Sequence, residues 1–265
     1  MNTHRAIRTH PLARIAAAGV FLTALPLACP AQSAELATRT GNEIGVTVSS
    51  YKYTEPSNMS IKATKIGIEY SGTWARNSEW FALARLRYAN GNGDYSSVGT
   101  GTMSDRPDWY YEIKGAVGRD FLFGDYSLSP YVGLGYRYLF NDLRGLSSTG
   151  NQGYRRESNY FTLPIGVMHR MNLSDQAQLL TTLEYDQLIR GRQESKLSDI
   201  SPPGPDASNT QRRGYGLQLS AMYQTSRWSV GPYLLVWRLG ESERNAVTEP
   251  KNDTSEFGVR SAFRF

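Results

Sequence analysis

Beyond residue 35 apolar and polar side chains alternate with a period of two, segment after segment. Ile66, Ile68, Tyr70 and Trp74 share one face of an extended stretch, and Lys65, Gly67 and Glu69 share the other. Trp80, Ala82, Ala84, Leu86 and Tyr88 oppose Arg85 and Arg87. Trp109, Tyr111, Ile113 and Val117 oppose Glu112 and Lys114. The rhythm returns in 128–140, 160–167, 179–189, 215–223 and 257–265, and stretches 44–53 and 228–239 complete ten predicted strands. No apolar run after residue 35 approaches the ~18 residues of a helical membrane span.

A soluble sandwich alternates too, so three further features decide the fold class. Aromatic residues gather at the ends of the apolar faces: Trp74, Trp80, Tyr88, Trp109, Tyr138, Tyr185, Tyr215, Tyr223 and Trp228. Rings with a polar edge prefer the lipid headgroup level, where barrels carry girdles of them. The opposite faces hold Gly and charge, among them Arg85, Arg87, Glu112, Arg137, Glu184, Asp186 and Arg260. A sandwich core would not bury these, whereas a polar lumen can pair them. Connections also alternate: 75–78, 120–125, 171–176 and 224–227 are short, while 90–108, 141–158, 191–212 and 240–253 are long and polar. Only 54–60 departs from this on the long side. The pattern predicts an all-β, antiparallel up-and-down transmembrane β-barrel of ten strands, with short periplasmic turns and long extracellular loops. Backbone amides in hydrocarbon must all be paired, and among strand structures only a closed barrel pairs them.

Residues 1–34 read as a secretory signal peptide. Arg5, Arg8 and Arg14 form a basic start, 15–27 is apolar, and Ala31-Gln32-Ser33-Ala34 offers small residues for cleavage. The barrel is then expected over 35–265. Cys29 is the sole cysteine, so the mature chain has no thiol chemistry and no disulfides. Cleavage also removes three of the 29 basic residues and none of the 24 acidic ones, so the excess positive charge shrinks and gives no reason to expect nucleic acid.

The C-terminal stretch with Phe257, Val259, Phe263 and Phe265 resembles the sorting signal of bacterial outer-membrane β-barrel proteins, although Ser261 stands where that pattern wants an apolar residue. Gly135-Tyr136-Arg137-Tyr138-Leu139 and Gly153-Tyr154-Arg155-Arg156-Glu157-Ser158 look like segments of small members of that class. The resemblance implies a bacterial outer-membrane location, contact with outer-membrane lipid and lipopolysaccharide, and insertion by the outer-membrane assembly machinery. It implies no single activity.

Candidate chemistry is sparse. Ten-stranded outer-membrane barrels include the omptin proteases, which need an Asp pair and an Asp-x-His pair at the extracellular rim. No Asp-x-His occurs here. His4 and His10 leave with the signal peptide, and His169 ends the sixth predicted strand beside a periplasmic turn. A lipid hydrolase would need a Ser within reach of that base, and the nearest following one is Ser174. With a single His and no thiol, no metal site or cofactor is expected. Arg190, Arg192, Arg212 and Arg213 flank the longest loop and suit lipopolysaccharide phosphates, an acidic polymer or the headgroup level itself. Small barrels are filled by side chains, and open channels come at about 16–18 strands. The leading expectation is therefore a non-enzymatic barrel with an envelope-structural or adhesin-like role through its loops. The alternative is a small porin-like channel, since Gly133, Gly135, Gly166 and Gly216 thin the inner wall.

Overall fold

The computed structural model describes residues 36–56, 58–76, 79–243 and 248–265. The predicted signal peptide lies outside these residues. The strands are β1 (Gly41–Glu55), β2 (Met59–Arg76), β3 (Trp80–Ser97), β4 (Gly101–Arg119), β5 (Phe121–Phe123) and β6 (Tyr126–Leu146). They continue with β7 (Gln152–Ser174), β8 (Ala177–Ser195), β9 (Ala207–Gln211), β10 (Gly214–Thr225), β11 (Trp228–Leu239) and β12 (Asn252–Arg264). Neighbours in sequence pair antiparallel around a closed ring. The two short strands are exceptions to the ring. β5 prolongs the course of β4 along β6, and β9 pairs with β8 beyond the point where β10 takes over. The other ten close the barrel, because β12 pairs with β1 from Arg264 opposite Glu43 to Asp253 opposite Thr54.

The apolar rows face outward. Ile44, Val46, Ile66, Ile68, Leu134, Leu183 and Leu219 are all exposed large hydrophobics, and so form a continuous greasy exterior. In water such a surface would aggregate, and in lipid it is the stable arrangement. Two aromatic bands bound it. Tyr88, Trp109, Tyr111, Tyr138 and Phe140 stack on one another near the outer end, with ring centroids 5.2–6.4 Å apart. Trp228, Phe263 and Phe265 form the second band at the end carrying the short turns.

The strands run further than the alternation predicts. Most of 90–108 and 141–158 belongs to β3, β4, β6 and β7, which meet through turns at 98–100 and 147–151. These stretches are polar on their outer face, so no outward apolar row marks them. Their backbone ladder nevertheless continues, as Gly93 opposite Arg106 and Asn141 opposite Arg156 show. Extended hairpins thus stand where long loops were expected. Only 196–213 and 240–251 remain longer connections, and β9 lies within the first of them.

Candidate functional site

The interior is the inverse of a soluble core, with charge stacked in tiers from one end to the other. In the middle tier, Arg137 on β6 pairs with Glu112 on β4. Arg87 Nε donates to Glu69 Oε2 at 2.8 Å. Glu256 on β12 accepts from Ser49 (2.9 Å), Tyr110 (2.8 Å) and Tyr233 (2.7 Å). One tier closer to the short turns, Lys114 Nζ donates to Glu184 at 2.7 Å and to Asp186 at 2.6 Å. Tyr131 adds a 2.6 Å hydrogen bond to Glu184, with Arg85 3.5 Å from the same carboxylate. Arg260 bridges Glu43 (2.8 Å) and Glu69 (3.2 Å). Arg85, Arg87, Glu112, Arg137, Glu184, Asp186 and Arg260 therefore all lie inside the barrel, in three adjacent ion-pair groups.

Three residues that sequence reasoning did not single out are equally central: Lys65, Lys114 and Glu256. Each occupies a polar position of the same alternation, so the signal was present. Asp108 ends the predicted 90–108 connection, yet it belongs to β4 and is buried inside the barrel.

The inward glycines are not gaps in the wall. A Cβ on Gly166 would fall 2.3 Å from the Tyr131 ring, and one on Gly216 would fall 3.0 Å from the Trp237 ring. Gly135 gives the same room to Thr162, whose Oγ1 would lie 2.5 Å from such a Cβ. These positions seat side chains from neighbouring strands, two of them large rings, and so help fill the lumen rather than widen it.

The end with the short turns is also occupied. Thr38 donates from its backbone N (2.7 Å) and its hydroxyl (2.8 Å) to Asp120, and Ser129 bonds the same carboxylate. His169 stands on the outer face near this end, with its ring 5.5 Å from that of Tyr126. At the opposite mouth an apolar shelf of Tyr51, Tyr53, Met59, Ile61, Met103 and Leu143 covers the charged tiers. Above it Arg156 lies between Glu55, at 2.8 Å, and Glu249. These three fall in stretches predicted as loops, where polarity alone carries no sign of inward facing.

The rim arginines lie together along one edge, where Gly191 on β8 stands opposite Gln211 on β9. Arg190 and Arg213 are exposed. Arg192 is engaged with Glu194 (2.8 Å) and Ser208 (3.0 Å), and Arg212 with Glu243. Phe257, Val259, Phe263 and Phe265 all lie on the lipid-facing side of β12 or at its end. Among the described residues, no group of three His, Cys, Asp or Glu side chains is arranged to hold a metal ion.

A closed ring of ten antiparallel strands, greasy outside and ionic within, is the architecture of an integral outer-membrane barrel. Residues 20–224 match the outer membrane protein beta-barrel domain family, and the chain belongs to that family. Among solved structures it is similar to the outer membrane protease OmpT from Escherichia coli, with a TM-score of 0.58 and 11% identity over 85% of this chain and 96% of that one. It is also similar to Ail, the attachment invasion locus protein of Yersinia pestis, with a TM-score of 0.36 and 10% identity over 86% of this chain and 100% of that one. At these identities the likeness to OmpT concerns the fold alone. A search of the curated proteins finds no match.

Proposed function

We propose that this outer-membrane barrel is non-enzymatic and non-conducting, and that it acts through recognition at its extracellular end. The observation that carries the reading is the filled mid-section. Lys65, Tyr110, Glu184 and Glu256 are all essentially inaccessible to water, although each faces the lumen. An ion would have to break several buried ion pairs to pass, and each break leaves buried charge uncompensated. The extended hairpins β3–β4 and β6–β7 then become the presenting elements. Exposed Arg190 and Arg213, together with Arg192 and Arg212, supply cationic contacts for lipopolysaccharide phosphates at the rim. The terminal row Phe257, Val259, Phe263 and Phe265 serves as the recognition signal for the assembly machinery. The position of His169, outward-facing and remote from the mouth, supports the non-enzymatic reading.

Planar-bilayer recording of the refolded protein tests this. A flat trace is expected. Stable openings whose size changes on substituting Arg85 or Glu184 would overturn it in favour of a porin-like channel.

A further inference from the structure

The extracellular mouth holds a cavity of about 310 Å³, at the lower end of the sizes that enclose small organic ligands. Its apolar side is formed by Met59, Met103 and Leu143, all buried and continuous with the tyrosine-rich shelf beneath. The charged side chains among its described lining residues are Glu55, Arg156 and Glu249. All three are held in place. Arg156 spans the two carboxylates, the Tyr53 hydroxyl donates to Glu55 at 3.1 Å, and Asn58 Nδ2 donates to the other Glu55 oxygen at 2.9 Å. Glu249 is fixed through its backbone, its N–H donating to Ser242 Oγ at 2.9 Å and its carbonyl accepting from Ser242 N at 3.0 Å. Two buried carboxylates thus share one guanidinium among the described lining residues, beside an apolar surface and above a filled lumen. A cation arriving beside them gains a charge-assisted contact.

We propose that this cavity binds a small amphipathic ammonium compound. The cationic head lies against Glu249 and Glu55, and the apolar body rests on Met59, Met103 and Leu143. The proposal gives a ligand class to the recognition reading and rests on it, because a cavity with a closed floor retains what it binds. A carboxylate of the same shape meets net repulsion. A neutral alcohol gains the apolar contact but no charge-assisted one.

The test is calorimetric titration of the refolded full chain, in a non-ionic detergent, with three probes of similar shape: 2-phenylethylammonium, 2-phenylethanol and 3-phenylpropanoate. The ammonium is expected to bind about tenfold or more tighter than either of the others, as a charge-assisted contact in a buried site requires. Glu249→Gln is expected to abolish that preference. Equal binding of the three probes, a preference for the carboxylate, or no saturable binding of the ammonium would each overturn the proposal. Should Glu249→Gln fail to refold, the ranking of probes on the unaltered protein decides alone. Bilayer recording separates this proposal from the reading it rests on. A flat trace without ammonium binding removes the ligand class only. Open-channel steps alongside ammonium binding remove the closed lumen and leave the site.

Discussion

Lys65 on β2 and Asp108 on β4 form an ion pair sealed inside the barrel, their side chains 0% and 2% exposed. Lys65 Nζ also donates to the Asp108 carbonyl at 2.7 Å, and Asn141 Nδ2 donates to the second carboxylate oxygen at 2.6 Å. The ammonium lies 4.4 Å from the centre of the Tyr51 ring. Lys65→Met leaves Asp108 buried without a cation and is expected to cost about 3–5 kcal/mol. The paired replacement Lys65→Met with Asp108→Leu is expected to recover most of that, because removing both charges also removes their desolvation. Urea unfolding in micelles, followed by tryptophan fluorescence, measures both. Equal stability of the single and double variants would show that the pair is not the determinant.

Leu134 on β6 is 67% exposed and lies between the two aromatic bands. Leu134→Arg places a guanidinium against lipid tails and is expected to destabilise the barrel by about 2–4 kcal/mol. Val98, in the turn between β3 and β4, is also exposed. Val98→Arg is expected to change stability by less than about 0.5 kcal/mol, as for an ordinary surface position in water. If both variants unfold at the same urea concentration in lipid vesicles, the outward row does not face hydrocarbon.

Asp199 anchors the 196–206 connection to β7. It accepts from the Arg155 backbone N (3.0 Å) and from Nε and Nη2 (both 2.8 Å). The hydrogen bonds from the Arg155 side chain hold its carboxyl below the usual range. A depressed folded-state value means that the anchor is complete above the ordinary carboxylate pKa of about 4 and is lost as pH falls through the lower, folded value. Amide exchange at 197–200, corrected for intrinsic rates, is expected to stay slow through mildly acidic pH and to rise only below that range. Arg155→Gln is expected to move the rise upward, toward the ordinary carboxylate value.

Phe265 closes the seam of the barrel. Its carbonyl accepts from Asn42 N at 2.8 Å and its N–H donates to Asn42 O at 2.9 Å. Phe265→Ala keeps both backbone bonds, so refolding in detergent is expected to proceed with an unchanged heat-modifiable gel shift. Assembly in cells is expected to fall, seen as less folded protein in the outer-membrane fraction. Normal assembly would remove the role given to this ring.

The period of two was enough to read the ten barrel strands, because a residue facing lipid and one facing a salt-bridged interior differ in the property that hydropathy records. Arg85, Glu112 and Glu184 were legible for that reason. Above the outer aromatic band the contrast vanishes. Asn92 and Asp94 are polar although they face outward, so no outward apolar row marks the continuation of β3. Glu55, Arg156 and Glu249 were lost with it. Their meeting depends on how far β1 and β7 rise and on where the β11–β12 connection folds back, and no local pattern encodes either. The glycines misled for a related reason. An empty position at Gly166 reads as space until the Tyr131 ring from the adjacent strand is known to lie over it.

The β1–β12 seam also bears on how the cylinder can form. Ser49 bonds Glu256 across 207 positions of chain, and Arg260 reaches Glu43 across 217. Such distant partners make contact order high and self-assembly slow, since the entropy of a very long loop is lost before any closing contact forms. Until that last zipper engages, two unpaired edges lie open to other chains. Slow closure and exposure of these edges are therefore two faces of one topology, and unassisted refolding is expected to lose yield as protein concentration rises.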